Sequence, residues 1–257
     1  MCSRAIGCWL LLLALLAGTA QAQTTAQVTT IAGAFAGHVD GDNLVSQLNT
    51  PYGVAYDEQG NLYIADYGNN ALRVLNVGSE VLVTLLPRSG EVNPLAGPVD
   101  VALDGMGNVY IANQTTGTIV RYNLESRVSV NVGQGYNNPV AVEVAEGSNI
   151  YVAEADGYIR RVGQTVPVYT WRPGGQRFSG MAFLGDNRFA VSDAGLHVVW
   201  VFNGGVRPVA VAGLQGSPGF ANGAIGTSRL NGPHHIAVAP GGGFVFADRL
   251  NHRVRFI

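Results

Sequence analysis

A repeated pattern of short strands and tight turns constrains this chain more than any other feature of its sequence. The clearest copy runs from Pro51 to Leu75, PYGVAYDEQGNLYIADYGNNALRVL, and contains three stretches in which apolar residues alternate with small or polar ones. Alternation with a period of two is typical of half-buried β-strands. Gly and Asn separate the stretches, at Gln59-Gly60-Asn61 and Tyr67-Gly68-Asn69-Asn70, and both residue types accept the positive φ of a turn. The copy therefore predicts three consecutive short strands joined by tight turns.

Four further copies follow at regular spacing. They begin at Pro98, Pro139, Phe178 and Pro233, and successive starts lie roughly 40 to 55 residues apart. This is the spacing of four-stranded propeller blades. The sequence therefore predicts an all-β fold, a β-propeller of about five four-stranded blades.

The residue pattern of the repeat, P-x-G-V-A-x-D-x-x-G-N-x-Y-x-A-D-x-x-N-x-x-x-R, resembles that of the NHL repeat family. The segment Asp248-Arg-Leu-Asn-His-Arg-Val-Arg255 is similar to the family's characteristic repeat ending. The resemblance covers nearly all of the chain from Thr29 onward. It is weakest in the fourth copy, where Trp200 occupies the place that Arg73 holds in the first copy. The resemblance implies an NHL-type propeller, a family that more often has six blades.

One strand pattern near the N-terminus has no repeat start before it. Val28-Thr-Thr-Ile-Ala-Gly33 corresponds to Val209-Ala-Val-Ala-Gly213, the outer strand of blade four, whereas the fifth copy reaches Ile257 after three strand patterns. We therefore expect the N-terminal strand to supply the fourth strand of the last blade, which would leave no open sheet edge. An incomplete six-bladed propeller is the alternative.

Residues 1–22 have the features of a secretory signal peptide. Arg4 precedes an apolar run from Trp9 to Ala17, and Ala20-Gln-Ala22 supplies a small-residue cleavage site. The run is shorter than the roughly 20 apolar residues that a membrane-spanning helix needs, and no later segment is long enough. We therefore expect a single mature domain, residues 23–257, that is secreted or periplasmic and monomeric, without a membrane span.

Composition narrows the classes of function. Both cysteines, Cys2 and Cys8, lie inside the signal, so disulfide scaffolds, thiol chemistry and thiolate metal sites are excluded for the mature domain. Loss of Arg4 leaves 14 arginines and no lysine against 17 acidic residues, with no basic stripe. Nucleic-acid binding relies on clustered cations and is disfavoured. The chain also lacks the G-x-S-x-G, H-E-x-x-H, phosphate-loop and dinucleotide-binding motifs.

The starts of the five inner strands are the first candidate site, because they should face one end of the central channel. They carry Tyr52, Asp100 and the adjacent pair His234 and His235, so the blades differ here, as a site requires and a scaffold does not. Adjacent residues of a strand point to opposite faces, so at most one histidine should aim at any single point. Asp100 and His235 are candidates for a binding feature or an acid–base pair. Channel polar groups bridged by water are the structural alternative.

The resemblance suggests two enzyme comparisons, and this chain departs from both. Amidating lyases with NHL-like propellers draw metal-binding histidines from several blades, whereas only blade five carries histidine at these positions. Gluconolactonase-like propellers use a Glu, an Asn and an Asp at the channel mouth, and of these only Asp100 is evident here. No metal ligands are assigned, and a calcium or zinc cofactor is a secondary possibility.

Several other residues can belong either to a site or to the scaffold. Asp40 and Asp42 lie in the long loop 34–50 and resemble part of a calcium-binding loop, although a loop that caps the channel explains them equally well. Trp171 and Arg172 belong to an aromatic–arginine segment, which is typical of binding hot spots and also of a packed blade edge.

The residues that end the second strand of each blade form another set. They could ring a hard cation, or they could accept backbone N–H groups of neighbouring turns. The set is Asp66, Asn113, Glu154, Asp193 and Asp248. Because a structural need recurs in every blade, the structural interpretation is favoured. Asn113-Gln-Thr115 is also an N-glycosylation acceptor sequence.

Three hypotheses for function follow. The first is an exported, non-catalytic binding module whose face loops and channel mouth bind a protein, a glycan or a small molecule. The second is a metal-dependent hydrolase or lyase with Asp100 and His235 near the propeller axis. The third is a purely structural extracellular repeat protein.

Overall fold

Five separate antiparallel sheets, one for each copy of the repeat, contain the strands of the chain, and the all-β propeller expected from the sequence is confirmed. This computed structural model describes residues 30–42, 44–76, 78–90, 92–204, 207–239 and 241–257. The sheets are called blades 1 to 5 in chain order. No helix in these described ranges is long and apolar enough to cross a membrane.

The strands follow the alternating apolar stretches of each copy. Those of blades 1 and 2 are β1 (Gly41–Asp42), β2 (Pro51–Tyr56), β3 (Asn61–Asp66), β4 (Ala71–Asn76), β5 (Val81–Leu85), β6 (Pro98–Leu103), β7 (Asn108–Asn113), β8 (Thr118–Asn123) and β9 (Ser129–Gln134). Those of blades 3 to 5 are β10 (Pro139–Ala145), β11 (Asn149–Glu154), β12 (Tyr158–Arg161), β13 (Tyr169–Thr170), β14 (Phe178–Phe183), β15 (Arg188–Asp193), β16 (Val198–Asn203), β17 (Val209–Gly213), β18 (Pro233–Val238), β19 (Phe244–Asp248) and β20 (Arg253–Phe256). Short 3-10 turns occupy Tyr67–Asn69, Glu146–Ser148 and Arg249–Asn251.

Apart from β1, each blade is a meander in which sequential strands pair, and the strand that opens the repeat copy lies innermost. The inner strands β2, β6, β10, β14 and β18 contact one another in that order and together line one cavity. Blade 1 gains β1 outside β5, through the pairing of Gly41 with Leu82. The side chains of the inner strands therefore surround a central channel.

The strand-end residues tie each blade to the segment that precedes it, which is the structural role favoured by the repeat. Each side chain accepts a backbone N–H from that segment, as in Asn49 N–H to Asp66 (2.7 Å) and Asn231 N–H to Asp248 (2.7 Å). The other oxygen of Asp66 accepts from the fully buried guanidinium of Arg73 (2.9 Å). In blade 4 the indole N–H of Trp200 fills the same place, against Asp193 (3.1 Å). The oxygen atoms of these strand-end residues thus accept hydrogen bonds from backbone and side-chain donors of the blade, as the structural interpretation predicts.

Blades pack face to face through apolar side chains at one repeated position. Leu72 of blade 1, Ile119 of blade 2, Ile159 of blade 3 and Val199 of blade 4 are each no more than 1% exposed, because the next blade covers them. Val254 holds this position in blade 5 and is 74% exposed. The face of blade 5 that would meet a following blade is therefore uncovered by the described residues.

The expected closure of blade 5 by residues 28–33 is not confirmed. Val28 and Thr29 lie outside the described residues, and residues 30–33 form no strand. Ala32 packs instead against blade 1, beside Leu62 and Leu82. Blade 5 has three strands in the described part of the chain, ending at β20.

Candidate functional site

The central channel contains a cavity of about 340 Å³ that all five inner strands line. Most of the lining is aliphatic or aromatic, and three side chains bring carboxyl or imidazole groups to it: Asp100 from β6, Glu143 from β10 and His235 from β18. They come from three different blades. A concave site with a mostly apolar wall and a few polar groups is typical of small-ligand binding.

Asp100 and His235 lie close together, as the sequence suggested for an acid–base or binding pair. Asp100 Oδ1 is 3.6 Å from His235 Nε2, and the aspartate side chain is 9% exposed whereas the histidine is 38% exposed. Asp100 Oδ2 accepts the backbone N–H of Val142 (2.9 Å), which links blade 2 to blade 3. Burial raises the pKa of Asp100 above its ordinary value, against the opposing effect of His235. Asp100 therefore has both a structural hydrogen bond and an oxygen that faces the channel.

A β-bulge sets the position of His235. In blades 2, 3 and 4 the unpaired residue of the inner strand is its second one, for example Val99 between the paired Pro98 and Asp100. In blade 5 the irregularity moves one residue on, between His234 and Ile236, and His235 adopts a φ of +35°. A bulge re-aims side chains, and a positive φ for a non-glycine residue is a strained conformation that surrounding structure must hold.

This bulge interrupts the regular alternation on which the expectation for His234 and His235 depends. Alternation along a regular strand predicts that His234 and His235 point to opposite faces, but both line the same cavity at the end of the channel where the inner strands begin. The extra residue of the bulge breaks the period of two at this point. Both histidines can therefore contact one ligand.

Glu143 is the functional candidate that the sequence reasoning missed. Its position, the fifth in each inner strand, is occupied by alanine in the other blades: Ala55, Ala102, Ala182 and Ala237. A carboxyl group that replaces a methyl group at one of five equivalent positions is a signal that aligning the copies at this position would have given. Burial, followed by the nearby charge of Asp100, raises the pKa of Glu143 to about 8. Glu143 is therefore mostly protonated at neutral pH and can donate a hydrogen bond.

Two glycines allow the inner strands to approach closely at this site. A Cβ on Gly53 would lie 2.3 Å from Asp100 Oδ1 and 2.5 Å from its Cα. A Cβ on Gly180 would lie 2.7 Å from the Cα of His235. Real Cβ contacts are never this short, so both positions require glycine for close backbone approach. Gly53 of blade 1 thus leaves room for Asp100 of blade 2, and Gly180 of blade 4 leaves room for His235 of blade 5.

The end of the channel where the inner strands begin, called here the N-terminal mouth, contains a second cavity of about 110 Å³. Tyr52 and His234 line it, as expected for residues at the strand starts, and His235 borders both cavities. Burial of the imidazole, together with His235, Arg249 and Arg177, lowers the pKa of His234 to about 4. His234 is therefore neutral at pH 7.

The loop and blade-edge candidates have partners outside the channel. Asp40 accepts from Arg73 (2.7 Å) and from Thr84 (3.0 Å to its backbone N–H), and these contacts lower its pKa although burial acts against them. Asp42 pairs in strand β1. Trp171 packs edge-on against Trp200 and Arg172 donates to Tyr158, which describes a packed blade edge.

The Asn113 side chain is fully buried in blade 2. Its amide nitrogen donates to the carbonyl of Pro94 (3.1 Å) and to Thr118 (3.2 Å), and its oxygen accepts the N–H of Ala96 (3.3 Å). A glycan would replace one of the two N–H groups on this nitrogen, and the fully buried side chain leaves it no room in the folded blade. The acceptor triplet therefore has a structural explanation.

Comparison with known proteins gives a family match in blade 1 and a set of fold relatives. Residues 48–75 match the family model of the NHL repeat. No curated protein matches the chain in sequence. The match comprises the last three residues before β2, then β2, β3 and all but the final residue of β4.

Solved structures resemble the fold at low sequence identity. Virginiamycin B lyase from Staphylococcus aureus is 15% identical with a TM-score of 0.60, and the match covers 80% of this chain and 66% of the lyase. An auxiliary nutrient binding protein from Bacteroides ovatus is 17% identical with a TM-score of 0.63, over 84% of this chain and 63% of that protein. A chain of the nidogen/laminin complex is 16% identical with a TM-score of 0.63, over 80% and 75%. This chain thus spans about two thirds of the lyase.

These likenesses establish the fold and leave activity to be argued from the site. The residue pattern of the repeat, the matched family model and the five sheets around one channel all indicate the same propeller fold. The chain is a β-propeller whose first blade matches the NHL repeat.

Proposed function

We propose that this propeller is a binding module that holds a small polar ligand in its central channel. The observation that carries the proposal is the convergence of Asp100, Glu143 and His235 on one cavity of about 340 Å³. A scaffold repeats its residues from blade to blade, whereas these three differ from their counterparts in the other blades. The signal peptide expected over residues 1–22 would place this binding in an exported compartment.

The chemistry of the three groups fits a ligand with hydroxyl or amide groups. Glu143, protonated at neutral pH, donates a hydrogen bond, and Oδ1 of Asp100, the oxygen beside His235, accepts one. The imidazole of His235 can do either. Donors and acceptors that project from an apolar wall fix the orientation of a ligand and exclude ligands that leave them unpaired.

An enzyme is the second candidate, and one specific observation favours it. Glu143 and Asp100 are two carboxyl groups in one cavity with the pKa of Glu143 raised to about 8, so one can act as a general acid while the other accepts a proton. Propellers of similar fold include both a lyase and a nutrient binding protein. Fold therefore favours neither candidate over the other.

The enzyme candidate also has a metal-dependent form, in which a calcium or zinc ion would bind in the channel. In the described ranges, no group of three or more His, Cys, Asp or Glu side chains has the arrangement of a metal site. One oxygen of Asp100 already accepts the N–H of Val142. The acid–base chemistry described above uses the side chains alone.

Binding is tested with purified residues 23–257 against a library of monosaccharides, sugar acids, amino acids and polyols, first by thermal shift and then by calorimetry. Glu143→Gln keeps a donor but loses the carboxyl, and Glu143→Ala loses both. We expect a hit whose affinity falls about tenfold in Glu143→Ala, the loss of one hydrogen bond to the ligand. Glu146→Gln, on an exposed turn of the same blade, is the matched control.

Two outcomes would count against the proposal. A hit that binds the wild type and Glu143→Ala equally lies outside the channel. A ligand that is converted to product, measured by mass spectrometry after incubation, with conversion abolished in Glu143→Gln, would favour the enzyme instead.

A further inference from the structure

The N-terminal mouth of the channel has a cationic rim. Arg177, from the segment before β14, and Arg249, from the 3-10 turn after β19, both line the cavity of about 110 Å³. They come from consecutive blades. Both lie close enough to His234 for their charges to lower its pKa. The two guanidinium groups and the imidazole therefore face one small volume.

Neither guanidinium has a protein partner in the described part of the chain. Other arginines of the repeat are paired: Arg73 with Asp66, Arg160 with Glu154 and Arg255 with Asp248. Arg177 and Arg249 take part in no salt bridge there, and no side-chain hydrogen bond satisfies their donors. Such unpaired, exposed guanidinium forks are the groups that bind carboxylate and phosphate bidentately.

Two uncharged side chains complete the rim. Gln114 and Asn138, from blades 2 and 3, line the same cavity, and neither side chain bonds to another described protein group. Their amide N–H groups are additional donors toward the same volume. Among the residues that the structure describes, no Asp or Glu side chain lines this rim. The donors thus outnumber the fixed acceptors, as an anion site requires.

From this arrangement we infer that the N-terminal mouth binds an anionic group, a carboxylate or a phosphate, of the ligand that occupies the channel. Arg177 and Arg249 hold the charge, while His235 borders both this cavity and the one that Glu143 lines. The ligand class is therefore a small acid that carries hydroxyl or amide groups on the end opposite its charge. This inference rests on the proposed function for the position of that uncharged end.

The test measures binding of inorganic phosphate, glucuronate and glucose by calorimetry at low ionic strength. Glucuronate and glucose differ in one carboxylate, so they separate the charged group from the sugar body. The variants are Arg177→Gln and Arg249→Gln, and Arg88→Gln is the control because Arg88 is exposed and lines no described cavity. Both test positions are exposed, so folding should be kept and is checked by circular dichroism.

We expect phosphate and glucuronate to bind the wild type more tightly than glucose. Each test variant should weaken both anions about tenfold or more, as expected for a charge-assisted hydrogen-bond pair, and Arg88→Gln should change neither. Added NaCl should weaken anion binding, since salt screens exposed charges. Absence of anion binding by the wild type, or equal weakening by Arg88→Gln, would overturn the inference.

A second readout reports the mouth directly. A bound anion favours the imidazolium form, so phosphate should raise the pKa of His234, measured by NMR titration of its ring protons. The charged or titratable groups that act on this ring are His235, Arg249 and Arg177. An unchanged pKa at saturating phosphate would place the anion elsewhere.

The two proposals can fail separately. Anion binding that depends on Arg177 and Arg249 but not on Glu143 would keep the mouth site and reject the channel ligand. Binding of an uncharged molecule that depends on Glu143 but not on either arginine would do the reverse.

Discussion

The protonation state of Glu143 controls how stability should depend on pH. The pKa of this carboxyl is about 8 in the folded chain, against an ordinary value of 4.5. A folded-state pKa above the unfolded value means that the folded chain binds the proton more tightly. The stabilisation is therefore complete below pH 4.5 and is lost as the pH rises toward 8.

The magnitude follows from the two pKa values. Their difference of 3.5, at 1.36 kcal/mol for each pH unit, gives an upper limit of about 4.8 kcal/mol. The side chain is partly exposed to the channel, so solvent reduces this figure. We expect the wild type to lose about 2 kcal/mol or more of unfolding free energy, relative to Glu143→Gln, between pH 5 and pH 8.

The assay is urea unfolding at single-unit pH intervals from 5 to 9. Glutamine does not titrate, so the difference between wild type and Glu143→Gln removes the ionisable groups that do not interact with Glu143. Asp100 does interact with Glu143, so the difference reports the two carboxyl groups as a coupled pair. Glu146→Gln should give a curve parallel to that of the wild type. A difference between wild type and Glu143→Gln that stays flat from pH 5 to 8 would show that Glu143 is ionised, and the neutral donor in the proposed site would be refuted.

Four further substitutions test how the blades are packed and held together. Leu72→Ala should cost about 3 kcal/mol because blade 2 covers this side chain, whereas Val254→Ala should cost less than about 1 kcal/mol by urea unfolding. An equal cost at both positions would show that other residues cover blade 5 in solution. Gly180→Ala should destabilise by about 1–3 kcal/mol and weaken any channel ligand, because the new Cβ displaces His235; unchanged affinity would contradict the close approach. Arg73→Ala should cost about 3 kcal/mol or more, since it leaves a buried carboxylate unpaired, and a cost near zero would contradict that burial.

Local signals predicted the scaffold well. Strand alternation, Gly-Asn turns and the copy spacing gave the propeller and its blades, because each depends on residues near one another in the chain. The recurrence of Asp66 and its counterparts identified them as structural before their hydrogen bonds were known. The pairing of Asp100 with His235 was suggested from equal positions in different copies, without any knowledge of their separation.

The site beyond that pair required the tertiary structure. Glu143 lies four residues after the strand start, and only the packing of blade 3 beside blade 2 brings it near Asp100, which contributes with burial to its raised pKa. The shifted bulge that turns His235 toward the same cavity as His234 leaves no mark in an alternating sequence. Arg177 lies outside the residue pattern of the repeat, in the segment that connects β13 to β14.

The sequence by itself determined the fold class, the number of repeat copies and the residues that join strands within a blade. These follow from contacts between residues close in sequence, for which periodicity and turn chemistry are sufficient. Only the tertiary structure decided which side chains of different blades meet, which blade face stays uncovered and where charge is left unpaired. Those properties depend on distances between segments far apart in the chain, and a single sequence does not encode such distances in any local pattern.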